Sequence, residues 1–586
     1  MKKNLLLVGL SILFGIIGTL SLEPFRVPVL RWMVPWVLFY VGDVLKHQSI
    51  KKILLYSFLI ALSGCVFAFH WIIHLFVEYG GIPLYASLLL FIPYSFLLNT
   101  KIPLILLFLS KLKPKFRIFS KYTLLGIPLI ITLLDIFTPQ VFNWYWGNLV
   151  TQNLYFSQIA DIVGIHGITF FYILFSYVFY RLFKIFIKNY KLLLKVKLIK
   201  IYAVFLFLFV LIHVYGFFQI NYYDNLSQNV PKIRVALIQP NAPLEKYGEN
   251  KVTENVLIEL MSKTIPRLVE EAILKSEGKL DLVVLPESAI PYYTTQKEFI
   301  TLRLNVYHPN FEYLIHSING KYNVDVFFNE LGYGLKGNRI QVYNSSALFS
   351  RLGKKDAIYH KRRLIAFGEQ IPYAEFLDST GLIQFVPESV RYSRFQPGTD
   401  FTLIPYSLQN YQNPINEQKE FPFQVVDEIL SEEKIKKYFE NRKWEVFGYF
   451  MPLICYEVIQ PDYVLEFFRN SRSSIDFIVN ITQDKWYGKT IQSYQHLELA
   501  RIRSIEFRKS LVRSTNSGVS TSVDPIGRYI HPIYGNLLTS QETEEVQVVD
   551  IPIIRDVSTI YTKIGIGWLW FLGFLYIFLL VLMKLK

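Results

Sequence analysis

Leu453-Ile454-Cys455-Tyr456-Glu457 places a thiol and a carboxylate at the exit of an apolar, strand-like run that begins at Phe450. Two other runs stop on reactive groups in the same way. Val283-Val284-Leu285-Pro286-Glu287-Ser288 has a buried-strand pattern ended by proline, with a carboxylate just beyond it. Tyr359-His360-Lys361-Arg362-Arg363-Leu364 carries a lysine and continues through Phe367-Gly368-Glu369. Further β-type runs lie at 232–239, 280–285, 324–328, 342–349, 476–481 and 511–514, with helical patterns at 253–276 and 490–508. Short buried strands separated by helices predict an α/β layered domain with helices covering sheets. No glycine-rich phosphate loop follows any of these strands, so nucleotide binding has no support. The polar, strand-poor stretch 406–446 reads as an insertion before the Cys455 strand.

Outside this middle region the composition changes. The 586 residues are 52% apolar and only 18% charged, against about a quarter charged in soluble domains. The apolar residues crowd into 1–220 and the C-terminal end. Runs at 4–22, 28–45, 53–77, 83–110, 122–142, 160–187, 198–219 and 564–583 approach the ~20 residues needed to cross a bilayer core. The first, behind Lys2 and Lys3, leaves through Leu20-Ser21-Leu22-Glu23-Pro24, which lacks a small-x-small cleavage site, so it reads as an uncleaved anchor. The run at 83–110 is interrupted by Asn99-Thr100-Lys101. Two short helices there would reverse the side of everything that follows.

The formal net charge is +15, and its placement decides its meaning. Lys and Arg gather at Lys2 and Lys3, at Lys46, Lys51 and Lys52, from Lys111 to Lys121, from Arg181 to Lys197, and at Lys584 and Lys586. None lies between Lys52 and Lys101 or between Lys121 and Arg181. Arg26 and Arg31 are the exceptions. Clusters on alternate connections fit the positive-inside rule with eight helices and both termini cytoplasmic. The expected organisation is a seven-helix membrane domain over 1–220, an extracytoplasmic domain over 221–562, and a C-terminal transmembrane helix over 563–586. Basic charge used for topology argues against nucleic acid as a partner. His70 and His74 lie one helical turn apart, but two histidines without carboxylates make a poor metal site. Two cysteines, Cys65 and Cys455, exclude a disulfide framework.

Singly, the three strand ends are unremarkable: a solvated Glu, a surface Lys and a core Cys. Together they compose an acyl-transfer site. A lone thiol outside the cytoplasm meets an oxidising environment, and reactivity is the best reason to keep one there. The attacking species is the thiolate, so a base must take the proton or a cation must lower its pKa. Glu287 is placed to be that base. The Lys361 ammonium, with the backbone N–H after Cys455, is suited to stabilising an oxyanion.

Leu285-Pro286-Glu287-Ser288-Ala289-Ile290-Pro291, Lys361 with Phe367-Gly368-Glu369, and Ile454-Cys455-Tyr456-Glu457 resemble the Glu-Lys-Cys triad of the nitrilase superfamily. Asp484-Lys485-Trp486-Tyr487-Gly488, Gln495-His496, the run Ala500–Glu506 and the run Arg513–Val519 continue the match. With eight membrane helices around it, the whole chain is similar to the apolipoprotein N-acyltransferase family of bacterial inner membranes. That resemblance implies a nitrilase-like αββα sandwich and a double displacement. A membrane phospholipid donates an acyl chain to the thiol as a thioester, and the N-terminal amine of a diacylglyceryl apolipoprotein accepts it. Glu287 would be the base, Lys361 the oxyanion stabiliser and Cys455 the nucleophile. Glu369 would match an additional carboxylate and Glu457 the one beside the nucleophile.

Departures from the family pattern stand at Leu285 for Trp, Arg363 for His, Ala366 for Pro, Gln483 for Asn, and Tyr247 near a usual Trp. Trp486 is either core packing or, with Tyr247, part of the substrate pocket. Arg501, Arg503 and Arg513 are expected to hold the fold rather than bind lipid phosphate, and His496 is a weaker alternative base. The apolar stretch 371–387 reads either as a lid at the bilayer or as a covered loop. No metal or dissociable cofactor is implied, and a monomer is the expected state. Two rival readings are a membrane-tethered nitrilase-type amidase and a non-catalytic lipoprotein-binding scaffold. Acyl-chain, headgroup and lipoprotein preferences are not readable from the sequence.

Overall fold

The computed structural model describes residues 2–113, 123–140, 142–189, 196–246, 252–301, 306–336, 339–365, 368–371, 374–385, 395–409 and 445–585. Tyr247, Ala366, Phe367 and nearly all of the stretch read as an insertion at 406–446 lie outside the described residues.

All eight apolar runs fold as helix. They are α1 (Lys2–Ser21), α2 (Pro28–Leu45), α3 (Ile50–Ala68), α4 (Leu84–Leu98) with α5 (Lys101–Leu107), α6 (Thr123–Phe137), α7 (Ala160–Asn189) and α8 (Val196–Gln228), with one more at the C-terminus. Five of them, α1, α2, α3, α7 and α8, are long and apolar enough to cross a bilayer. The fourth run is a pair bent by 55°, making a sixth span if it crosses once. The count of full-length spans among the described residues is therefore five or six, and the protein is a multi-pass membrane protein. Two shorter apolar helices, Leu124–Phe137 and Gly567–Leu579, lie on the fifth and last runs. At 15 residues, α6 is about 22 Å long, and the chain turns back beyond it.

That turn is tied to the interruption at Asn99-Thr100-Lys101. Lys101 is fully buried, with Nζ 2.7 Å from Asp135 Oδ1 and 2.7 Å from the Trp144 carbonyl. Its ammonium also lies 3.4 Å from the centre of the Trp144 ring. Asp135 Oδ2 in turn accepts from the Trp146 N–H at 3.0 Å and from Thr169 Oγ1 at 3.3 Å. A charge inside the membrane persists only when paired and hydrogen-bonded, and this pair fixes the bend against α6 and α7.

After α8 the chain builds two mixed sheets from β1 (Lys232–Gln239), β2 (Leu282–Val284), β3 (Asp325–Lys336), β4 (Arg339–Ser350), β5 (Lys354–His360), β6 (Ile404–Tyr406), β7 (Gly448–Ile454), β8 (Phe477–Thr482), β9 (Ser510–Thr515), β10 (Thr521–Val523) and β11 (Glu545–Pro552). The strand orders are β11-β1-β2-β3-β4-β5 and β10-β9-β8-β7-β6. Parallel pairing joins β1-β2-β3 and β7-β8-β9 at the sheet centres, and antiparallel strands close both edges. Two-sided burial explains why the central strands, such as Phe477–Thr482, are continuously apolar apart from Asn480 and Thr482.

Period-2 alternation divides the first sheet. Ala236, Ile238, Val283, Val326 and Phe328 pack on helices α9 (Ile265–Lys275) and α10 (Pro309–Tyr322). Val235, Leu237, Val284 and Phe327 face the second sheet, where the Phe327 and Phe450 rings meet at 5.1 Å. Tyr463 and Phe467 of α11 (Pro461–Asn470) and Leu499 and Phe507 of α12 (Gln492–Phe507) join the same core. The result is a nitrilase-like α/β domain, followed by the terminal helix α13 (Gly567–Leu585).

The helical region and the α/β domain meet through buried polar contacts. Arg508, just past α12, donates to Asp161 Oδ2 at 2.6 and 3.0 Å, at the head of α7, and to Gln158 Oε1 at 2.6 Å, just before it. Three residues past Asp161, Gly164 takes φ +64, and a Cβ there would collide with the Tyr561 ring. Only glycine allows both the turn and that approach. Removing Asp161 by Asp161→Ala strands a buried guanidinium. A loss of about 3–5 kcal/mol is expected, read as a fall in the apparent melting temperature in detergent or nanodiscs. Asp161→Asn, which keeps an acceptor oxygen, is expected to lose less.

Candidate active site

Glu287, Lys361 and Cys455 each lie just beyond the end of a strand, β2, β5 and β7 respectively. The second sheet supplies the thiol and the first supplies the two charges. Cys455 takes φ +54 and Ser288, beside Glu287, also takes φ +54, a left-handed conformation unusual without glycine. At Cys455 the chain breaks from β7 into the short helix Cys455–Ile459. The turn is held from behind. Asn480 Nδ2 donates to the Leu453 and Cys455 carbonyls at 3.1 and 3.2 Å, and Asn480 Oδ1 accepts from Arg513 Nη1 at 2.5 Å.

The Lys361 ammonium is fully buried between two carboxylates, 2.7 Å from Glu369 Oε1 and 3.4 Å from Glu287 Oε1. Asn344 Nδ2 bridges the same two oxygens at 2.9 Å each. The other Glu287 oxygen, Oε2, accepts from the Gln483 N–H at 3.0 Å, and Glu369 Oε2 accepts from the Ile365 N–H at 2.9 Å. Burial works against the charge on Lys361, but Glu287 and Glu369 outweigh it and hold the ammonium above its ordinary range. Burial pushes the Glu287 carboxyl up; Lys361 opposes this and Glu369 adds to it. Burial and the Glu287 charge push the Cys455 thiol well above its ordinary range, while Lys361 pulls it down. A resting neutral thiol beside a basic carboxylate and a fixed cation suits proton transfer coupled to attack.

Glu457 does something different from what its place beside the thiol suggests. Its Oε2 accepts from the Ile454 N–H at 2.8 Å. Its Oε1 accepts from the N–H groups of Arg362 and Arg363 at 2.8 and 3.1 Å and from the Tyr359 hydroxyl at 2.7 Å. One buried side chain therefore ties the Lys361 loop to the Cys455 turn. Burial raises its pKa, and the donors, led by the Ile454 N–H, hold it down in part.

Asp484 is fully buried with Oδ2 2.9 Å from Arg513 Nη2 and Oδ1 3.1 Å from His496 Nδ1. Burial raises its pKa, but Arg513 and His496 outweigh it and hold it at about 2. Burial and Arg513 keep His496 neutral with a pKa of about 4, and its ring stacks on Tyr456 at 4.6 Å. The imidazole thus serves Asp484 and Tyr456. Arg501 and Arg503 pair with Glu498 and Glu506 at 2.6 and 2.8 Å, and with Arg513 they hold elements together.

Trp486 stays out of the core, 38% exposed, with its ring 4.8 Å from that of Tyr79. Of the stretch 371–387, the described residues 374–385 contain two short helical turns with Phe376 and Leu382 exposed. Among the described residues, no group of three or more His, Cys, Asp or Glu side chains is arranged to hold a metal ion. Sequence reasoning missed Asn344, Asn480 and Thr482, whose Oγ1 lies 3.6 Å from Cys455 Sγ. Their one signal is an amide or hydroxyl inside an otherwise buried strand.

Residues 234–557 match the family described as carbon-nitrogen hydrolase, and residues 14–178 match the apolipoprotein N-acyltransferase N-terminal domain. The chain is 32% identical to apolipoprotein N-acyltransferase 2 of Leptospira interrogans, covering 95% of this chain and 92% of that protein. It is 29% identical to apolipoprotein N-acyltransferase 1 of the same species, covering 97% and 95%. Apolipoprotein N-acyltransferase of Chlorobaculum tepidum is 25% identical, covering 88% and 89%.

The geometry makes Glu457 the site's structural tie. Glu457→Gln turns one acceptor oxygen into an NH₂ group facing buried N–H donors. A loss of at least about 2 kcal/mol is expected, together with faster alkylation of Cys455 in the folded protein. Unchanged stability and alkylation would contradict the assignment.

Proposed function

The chain belongs to the apolipoprotein N-acyltransferase family of the carbon-nitrogen hydrolase superfamily, and on that premise we propose its reaction. It moves a fatty acyl chain from a membrane phospholipid to the N-terminal amine of the diacylglyceryl-cysteine of an apolipoprotein, by way of a thioester on Cys455. The observation that carries this reading is the buried Lys361 ammonium held between Glu287 and Glu369, beside the strand end that presents the thiol.

In the first step Glu287 takes the thiol proton as Sγ attacks the phospholipid ester carbonyl. The negative charge that develops on the carbonyl oxygen is met by Lys361 and the Tyr456 N–H. The C–O bond then breaks, and the proton on Glu287 passes to the departing lysophospholipid alkoxide. In the second step the acceptor amine attacks the thioester carbon and Glu287 takes a proton from nitrogen. The C–S bond breaks, and the thiolate recovers that proton. Glu369 acts through Lys361, and Glu457 through the two loops it joins, as positioning groups. Trp486 at the rim, and Tyr247 outside the described residues, are assigned to the lipid pocket.

The Lys/Arg clusters support an arrangement with both termini cytoplasmic and the 221–562 domain outside the inner membrane, between the helices of 1–220 and the anchor at 563–586. Both substrates are lipids and reach such a site sideways from the outer leaflet. This also argues against the amidase reading, because a soluble amide would require no such frame.

Incubating the protein with phospholipid vesicles is expected to add one acyl mass to Cys455, removable by hydroxylamine and absent from Cys455→Ala. Glu287→Gln is expected to slow adduct formation by about 10²–10⁴-fold. Because burial raises the Glu287 pKa, the rate of adduct formation should climb with pH through a midpoint above the ordinary carboxylate range, as the base form accumulates. Intact mass against time and pH checks all of these. No adduct with any phospholipid would overturn the acyl-donor assignment.

A further inference from the structure

Gln483 stands one residue past β8, next to Thr482 at the thiol, and it is 1% exposed. Its carboxamide is half used. Oε1 accepts from the Lys485 N–H at 3.2 Å, and since that N–H can only donate, the oxygen must face it and the NH₂ must face away. Among the described residues, Nε2 is then a buried donor with no hydrogen-bond partner. Leaving such a group unpaired forfeits the hydration it had in water, so a buried orphan donor one residue from the strand end at the thiol requires an explanation.

The position of Gln483 around Glu287 indicates what it awaits. Lys361 and Asn344 occupy Glu287 Oε1, while the Gln483 N–H occupies Oε2. The backbone of Gln483, from which its carboxamide extends, is therefore on the edge of the base opposite the Lys361 ammonium. In thioester formation the reacting ester oxygen lies on the Lys361 side. In the transfer step Glu287 must instead meet the acceptor's amine. The peptide carbonyl of that first residue is joined to the amine through a single Cα, so it falls beside the base. A neutral amide donor matches a neutral carbonyl.

We propose that Gln483 Nε2 donates a hydrogen bond to the carbonyl oxygen of the acceptor's N-terminal residue, making Gln483 a specificity-determining residue of the second half-reaction. This rests on the acyl-transfer reading of the site. The bond orients the amine for attack on the thioester carbon; the proton still goes to Glu287 and the electron pair of the broken C–S bond to Sγ.

The test separates the two half-reactions of the full-length protein in nanodiscs. Thioester formation is followed by intact mass. Transfer is then started by adding a diacylglyceryl-cysteinyl peptide, or an analogue whose first peptide carbonyl is reduced to methylene. Gln483→Leu is expected to slow transfer at least about tenfold more than it slows thioester formation. Wild type is expected to discriminate against the reduced analogue by about tenfold or more, and Gln483→Leu to lose most of that discrimination. Gln483→Asn, with a shorter reach, should fall between. If Gln483→Leu still discriminates as wild type does, or slows both half-reactions equally, the proposal is wrong. If wild type forms no thioester at all, the acyl-transfer reading fails instead, and the two failures remain distinct.

Discussion

A single ammonium ion sealed away from water sets the terms for the rest of the site. Lys361 is fully buried, and a lone buried cation would cost several kcal/mol or lose its proton. Two carboxylates secure it, but they bring a surplus negative charge that must also be accommodated. The amide of Asn344 and the N–H groups of Gln483 and Ile365 take up that surplus by hydrogen-bonding the oxygens Lys361 leaves free or shares. Together with burial, the larger cause in both cases, the surplus pushes the Cys455 thiol and the Glu287 carboxyl up, and in the proposed reaction this makes Glu287 the group that takes the thiol proton.

Such a cluster acts only if the strand ends that hold it keep their spacing. The spacing does not come from the sheets alone, because Lys361 and Cys455 leave different sheets. Glu457 closes that gap by accepting from both loops at once. The Tyr359 hydroxyl reaches the same carboxylate and also meets Tyr463 Oη at 2.6 Å, so α11 is drawn into the assembly. Glu457, read from sequence as the carboxylate beside Cys455, is also a buried tie between the two loops.

Sequence legibility divides along the same physical line. Glu287, Lys361 and Cys455 could be read because each ends an apolar run, where hydropathy changes abruptly. The central strands and the helical runs were legible for the same reason. Asn344 and Asn480 were not, since one amide within a buried strand looks like tolerated polarity until its partners are placed. The strand β5, written Lys354-Lys355-Asp356-Ala357-Ile358-Tyr359-His360, was hidden because it is a half-exposed edge whose charges obscure the alternation. The strand β11 was hidden by its internal polar residues, of which Gln547 is fully buried. What hydropathy did not reveal is how the fourth run bends against α6, because the deciding contact is an ion pair across 34 residues, a separation that local hydropathy cannot register.

The helix α12 shows why the membrane frame and the chemistry belong to one machine. At its start, Gln492 Nε2 donates to the Tyr456 hydroxyl at 2.9 Å and His496 stacks on the same ring, so the residue after the thiol is docked on this helix. One turn along, Gln495 pairs with the Trp71 indole at 3.1 Å and the carbonyl of Ala68, where α3 ends, at 2.8 Å. Glu498 and Arg501 grip Thr151, Glu506 accepts from the Ile165 N–H at 2.7 Å, and Arg508 holds Asp161. A single helix of about 24 Å thus sets the thiol in register with α3, the head of α7 and the connection before it. A soluble substrate can diffuse to whatever depth a thiol occupies. A lipid ester cannot, because the bilayer fixes its height, and reaction geometry misplaced by about 1 Å costs on the order of 10²-fold in rate. Buried, charge-assisted contacts bind the Cys455 turn to the membrane helices, and for the lipid substrates proposed above they would hold the thiol to that height.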